Sequence, residues 1–239
     1  MTIVLSLILA LLTGLGLFNQ ADLPSLQPLE TTQTAPGSSG HPEASSGEQA
    51  PAAAARQQLA ELPIKGRAPL TGYDRDAFGP SWTDDVTVAG GHNGCDTRND
   101  ILRRDLVDTV TREGTHGCLV ESGTLHDPFS AQTIDFNRGD GQVDIDHVVA
   151  LANAWVTGAQ FWDDATRRDF ANDPANLLAV DSGLNRQKGA SDAATWLPPN
   201  KSFRCDYVST QIRVKHSYGL WVTQAEADAM SRELDRCPA

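Results

Sequence analysis

The densest cluster of chemistry-bearing side chains in the sequence is Asp144-Ile145-Asp146-His147. It lies where a strand-like stretch, Gln142 to Val149, gives way to the apolar run Ala150 to Trp162. Polar groups are costly at such a junction unless they are paired or bind something. An adjacent carboxylate and imidazole suit one hard cation and one water. The carboxylate supplies an oxygen ligand for Mg²⁺ or a similar ion, and the imidazole, which titrates near neutrality, takes a proton from the water. Asp144 and Asp146 are two apart on one strand face, so either can be the ligand. Two further pieces follow. Asn176 opens the apolar strand Asn176 to Val180, and in the segment LNRQKG, Leu184 to Gly189, Asn185 and Lys188 are three apart and share one helix face.

The elements around these residues are legible as a mixed α+β pattern. Asp96 or Thr97 caps a helix running to about Val110, with Leu102, Leu106 and Val110 on one stripe. Residues 116–125 and 132–136 read as short strands. NRGDG, Asn137 to Gly141, is a turn into the strand that carries Asp146 and His147. A helix over 150–162 follows, then a polar helix over 164–171, the Asn176 strand, and a helix capped by Asp181 or Ser182. Near the end, Thr223 and Glu226 form a capping box for a helix to about Arg236. Trp155, Trp162 and Trp196 read as packing residues.

A strand bearing Asp-His, a strand opening with Asn and a helix carrying Asn, in that order, resemble the ββα-metal site of HNH nucleases. The similarity is closest to secreted HNH endonuclease-like proteins related to the C-terminal region of GmrSD-type restriction enzymes. It is carried by DIDHVVALANAWVTGAQFW, by RRDFANDPANLLAVDSGLNRQKGASDAATWLPP and, upstream, by YDRDAFGPSW and GCDTRNDILRRDL. Together these cover the chain from about Leu59 onward. The resemblance implies an α+β fold with a ββα-metal (HNH, or His-Me finger) core embedded in additional helices and short strands. It implies His147 as general base and Asp146 as metal ligand. Asn176 would brace the loop that aims His147, and Asn185 would be the second ligand. An amide oxygen of this kind suits Mg²⁺ or Mn²⁺ and gives no reason to expect zinc. The implied reaction is hydrolysis of a phosphodiester in DNA, or in RNA, leaving 5′-phosphate and 3′-hydroxyl ends. Lys188, Arg186 and Arg98 are the cations placed to meet phosphate. Solvated helix faces are the alternative for Lys188 and Arg186, and pairing with Asp96 or Asp100 is the alternative for Arg98.

The remaining features bound this reading. The 239 residues carry a formal charge of −12, and the acid is concentrated in residues 69–184, with 20 acidic against 8 basic groups. So few phosphate-binding cations imply weak, non-specific binding to nucleic acid with a shallow salt dependence. Ile3 to Phe18 is an uncharged apolar run, the expected core of a signal peptide or of a membrane tether at the N-terminus. Residues 21–58, rich in Pro, Ser, Ala and Glu, are expected to be a disordered linker, with the folded domain over 59–239. Cys95, Cys118, Cys205 and Cys237 contain no C-x-x-C pair, and an even number behind an export signal favours disulfides. Of three pairings, the two local ones, Cys95–Cys118 and Cys205–Cys237, are expected. The chain is thus read as an exported, monomeric enzyme. Its rivals are an extracellular metal hydrolase of the cell wall and a non-catalytic surface-binding protein.

Overall fold

A computed structural model describes residues 51–237 of the chain. The Ile3–Phe18 run and most of the expected linker lie outside the described residues. The first element, α1 (Pro51–Glu61), falls where the sequence suggested linker. Its alanines explain the correction: Ala52 and Ala55 are buried, and Leu59 and Leu62 continue the same face into the core. Alanine combines the highest helix propensity with a side chain small enough for close helix packing. The folded unit therefore begins before Leu59.

A one-turn 3-10 helix, Arg75–Phe78, precedes α2 (Thr97–Asp105), which is capped by Asp96 through Asn99 N–H. The helix expected to reach Val110 stops at Asp105. Leu106–Thr111 is instead strand β1, pairing antiparallel with β2 (Val120–His126), which pairs with β3 (Thr133–Asn137). The sequence LVDTVT is rich in β-branched residues, and strand pairing outweighs the helical spacing of its apolar positions.

Strand β4 (Val143–His147) then crosses to a separate two-stranded sheet. After α3 (Leu151–Val156), a 3-10 turn at Ala159–Phe161 and α4 (Asp164–Asn172), strand β5 (Leu177–Asp181) returns antiparallel to β4. Its register sets Asp144 opposite Val180, Asp146 opposite Leu178, and His147 opposite Leu177. Helix α5 (Ser182–Lys188) follows directly, capped by Asp181 at its start and by Gly189, at φ 52°, at its end. The chain closes with α6 (Arg204–Ser217) and α7 (Gln224–Leu234). The sequence did not suggest α6, because its buried face includes Gln211 and Lys215; Lys215 is satisfied by a buried ion pair with Glu226 of α7 at 2.8 Å.

Three apolar clusters hold these parts. One joins α1, α6 and α7 around Tyr207, Ile212 and Met230. A second packs Phe78, Trp155 and Phe170, and a third packs Ile101, Leu102 and Leu125 against Ile145 and Leu177. The β4–β5 hairpin lies between the first and third clusters, which is why its strands are buried along most of their length. Both expected disulfides are formed, Cys95–Cys118 and Cys205–Cys237, with Cα–Cα separations of 5.2 and 5.4 Å. The second ties α6 to the residues just past α7 across a sequence separation of 32. Replacing both Cys205 and Cys237 by Ser should lower unfolding free energy by about 3–4 kcal/mol, read from urea denaturation beside the wild type.

Candidate functional site

On β4 the side chains alternate, so Asp144 and Asp146 share one face of the hairpin while Ile145 and His147 turn to the other. Helix α5 folds back over the face with the acids. Its first turn past the cap brings Asn185 to Asp144, where Asn185 Nδ2 donates to Asp144 Oδ2 at 3.2 Å. One turn further, Lys188 reaches Asp146, and its Nζ donates to Asp146 Oδ1 at 2.8 Å. The i, i+3 spacing that puts Asn185 and Lys188 on one helix face thus matches the i, i+2 spacing of the two acids on the strand.

Lys188 is not on a solvated face and does not stand free to meet phosphate. It is 1% exposed, and besides Asp146 its Nζ donates to the His147 carbonyl at 2.8 Å. The carbonyls that follow are held in the same way. Gln211 of α6 donates to the Val148 carbonyl at 3.0 Å. Asn176, fully buried, accepts from Val149 N–H at 2.8 Å and donates back to the Val149 carbonyl at 3.3 Å. Three consecutive peptide carbonyls are therefore each fixed by a buried side chain from a different part of the fold. A backbone turn buried at this depth requires such partners.

The His147 ring is fixed separately. Its Nε2 bonds the Ala171 carbonyl at 2.8 Å, near the end of α4 where helix carbonyls lack partners within the helix. A carbonyl can only accept, so Nε2 carries the hydrogen and Nδ1 is left as the basic nitrogen. Burial pushes the His147 pKa down to about 3, and the Arg75 and Lys188 charges act in the same direction against the bond to Ala171. The imidazole is accordingly neutral across the physiological range.

Asp146 is 4% exposed, and its second oxygen, Oδ2, has no hydrogen-bond partner among the described residues. Burial raises its carboxyl pKa, the Lys188 charge and hydrogen bond oppose that, and the Asp144 charge adds to it. A single ammonium thus leaves this buried carboxylate under-compensated, and further positive charge at Oδ2 would be stabilised. Asp146, His147 and Asn185 line one cavity of about 250 Å³, together with Tyr73, Arg75 and Gly189. Among the described residues no three His, Cys, Asp or Glu side chains gather as a ligand cluster, and the amide of Asn185 lines the same cavity as Asp146.

The expected cations are placed unequally. Arg98 is half-buried on α2 near Asp144; burial and the neighbouring Arg138 lower its pKa, while Asp96 and Asp144 raise it. Arg186 is exposed on α5. Sequence reasoning passed over Arg75, which lines the cavity beside His147, because the segment around it is irregular and gives no periodic signal. Trp82 was passed over for the same reason, and its ring lies parallel to the His147 ring, with centroids 5.8 Å apart and 13° between planes.

Two outcomes follow for stability. Lys188→Met, which leaves the Asp146 carboxylate buried without its ammonium, should cost about 3–5 kcal/mol in urea denaturation, most of it regained in the Asp146→Asn/Lys188→Met double variant. The His147 titration carries a pH dependence. The unfolded chain takes up its proton near 6.5 and the folded chain only near 3, so stability is full above the first value and declines as pH falls toward the second. His147→Gln should flatten that part of the curve of melting temperature against pH.

Residues 96–233 match the family model described as GmrSD restriction endonucleases, C-terminal domain. An uncharacterized secreted protein of Arthroderma benhamiae is 38% identical over 188 residues, covering 78% of this chain and 86% of that protein. No solved structure matches. The matched segment runs from the cap of α2 into α7 and contains the hairpin, the carbonyl clamps and α5. The chain belongs to the family of GmrSD restriction endonuclease C-terminal domains.

Proposed function

We propose that the protein is an exported, metal-dependent endonuclease of the HNH type, in which the β4–β5 hairpin and α5 form a ββα-metal core that hydrolyses phosphodiester bonds of nucleic acid, DNA first, with little sequence preference. The observation that carries this reading is the buried Asp146 carboxylate, whose Oδ2 has no hydrogen-bond partner among the described residues, on a residue that lines one cavity with Asn185 and His147. The family points to nuclease chemistry. Export is supported by the two disulfides, which belong to oxidising compartments, and by the secreted relative. Among the described residues no helix is long and apolar enough to cross a membrane.

The residues present fit a hard divalent ion. Asp146, through Oδ2, and Asn185, through its amide oxygen, would hold it. Asp144 is the weaker candidate because it does not line the cavity that Asp146 and Asn185 share. Bound there, Mg²⁺ or Mn²⁺ would supply positive charge against the scissile phosphate and the departing 3′ oxygen. The protein's own groups do the rest. His147 takes the proton of the attacking water at Nδ1 while its Nε2–H stays on the Ala171 carbonyl. Lys188 holds Asp146 by Oδ1 and keeps Oδ2 turned to its task, an orienting role of the kind that tunes metal ligands. Asn176 fixes the turn from which His147 projects. Arg75 at the cavity and Arg98 near Asp144 offer positive charge to the flanking strand, and Arg186 adds a third contact. With so few cations on an acidic chain, the salt dependence of cleavage should be shallow.

The test is degradation of plasmid DNA and of a structured RNA by the purified chain with Mg²⁺ or Mn²⁺. Cleavage should stop with EDTA and fall by about 10²–10⁴-fold in His147→Ala. Asn176→Ala should lose about 10- to 100-fold while remaining folded. Cleavage that survives the chelator, or an undiminished His147→Ala, would overturn the mechanism. Failure to cleave either polymer under any divalent ion would overturn the function.

A further inference from the structure

Trp82 has no part in the chemistry just described, yet its environment is built. Its backbone φ is 60°, a left-handed value that is unfavourable for a bulky residue and that persists only where the surroundings enforce it. The enforcement is visible. The Trp82 carbonyl accepts from Thr97 N–H at 3.1 Å, and the next carbonyl, of Thr83, accepts from the Thr97 hydroxyl at 3.0 Å. Asp84 accepts from the backbone N–H groups of Asn93 and Gly94 at 3.0 and 2.8 Å. The neighbouring Cys95–Cys118 disulfide ties this loop to the segment entering β2. All of this sets one indole parallel to the His147 ring with centroids 5.8 Å apart, and a small cavity lined by Trp82, His147, Ala171 and Asn172 lies beside it.

The geometry points to Trp82 as a positioning residue for the general base. The proposal rests on the nuclease reading for its kinetic consequence but not for its structural content. The Ala171 carbonyl holds the buried imidazole by hydrogen bonding at one edge. The indole, lying parallel to the ring, opposes its rotation about Cβ–Cγ, which would put the carbon Cδ2 in the place of Nδ1 and break the bond to Ala171. The cost of losing it falls on the orientation of Nδ1 toward the attacking water rather than on substrate affinity, and small errors of orientation have large kinetic effects.

The experiment compares wild type, Trp82→Ala and Trp82→Phe on the full chain, with circular dichroism and melting temperature as controls for folding. The first readout is ¹H–¹⁵N correlation of the His147 ring. Wild type should show one tautomer, protonated at Nε2, with ring protons displaced upfield by the indole. In Trp82→Ala the upfield displacement should vanish and the ring signals should broaden or split, while Trp82→Phe keeps most of the wild-type pattern. The second readout is kinetic: kcat should fall by about 10- to 100-fold in Trp82→Ala with KM within a few-fold, and recover in Trp82→Phe. A folded Trp82→Ala whose ring signals match wild type, or whose kcat does, overturns the proposal. If Trp82→Ala does not fold, Trp82→Phe and Trp82→Leu carry the comparison: a flat ring should retain kcat and the ring signals, an aliphatic one should not, and equal values overturn the proposal. If wild type cleaves nothing, the nuclease reading fails, and the ring signals decide the positioning role alone.

Discussion

The Lys188 ammonium is the group on which the arrangement turns. It sits out of water with an Asp146 oxygen at 2.8 Å and the His147 carbonyl at 2.8 Å, and so fixes both members of the acid–imidazole pair from one point. Burying a charge this deeply is unfavourable unless it is paired and hydrogen-bonded, and both conditions are met here. The pairing also constrains the topology. A helix must follow β5 at once and fold back over the acid-bearing face, since a lysine three residues beyond Asn185 has to reach the strand residue two beyond Asp144. The tight connection through Asp181 and the Gly189 cap provide that geometry.

Around this pair, rigidity is obtained from backbone carbonyls. Lys188, Gln211 and Asn176 hold the carbonyls of residues 147, 148 and 149 from α5, α6 and the 3-10 turn just before β5. Each donor is itself buried, so each bond forms where water does not compete. Helix α6 owes its own position to the Lys215–Glu226 pair and to the Cys205–Cys237 bridge. Stability of the C-terminal helices and precision of the site are therefore linked through Gln211, although neither helix lines the cavity.

Much of this was legible in the sequence, and the parts that were not share physical causes. The β4–β5 pair and α5 could be read because their signals are local: NRGDG turns the chain into β4, β5 is a short apolar run, and Asp181 and Gly189 bound a helix. Asn176 could be placed as a brace only through its position in the family pattern. Lys188 was misplaced because a lysine on a helix is normally solvated, although its shared face with Asn185 already implied that it would enter the site. Alanine-rich α1 looked like linker because its composition is that of a tether; its packing against α6 is a tertiary fact. Helix α6 was hidden because two of its buried positions are polar and only their distant partners make burial tolerable. Arg75 and Trp82 reach the site from an irregular segment about seventy residues upstream, and contacts at that separation leave no trace in periodicity.

The central claim is that Asp146 and Asn185 together hold one divalent ion beside His147. The most direct test is titration of the purified chain with Mn²⁺, followed by electron paramagnetic resonance of the free ion, for wild type and for Asp146→Ala, Asn185→Ala and His147→Ala. One Mn²⁺ per chain that is lost or strongly weakened in the first two variants and retained in the third is the expected result. Undiminished binding in Asp146→Ala and Asn185→Ala, or no binding by wild type, would contradict it.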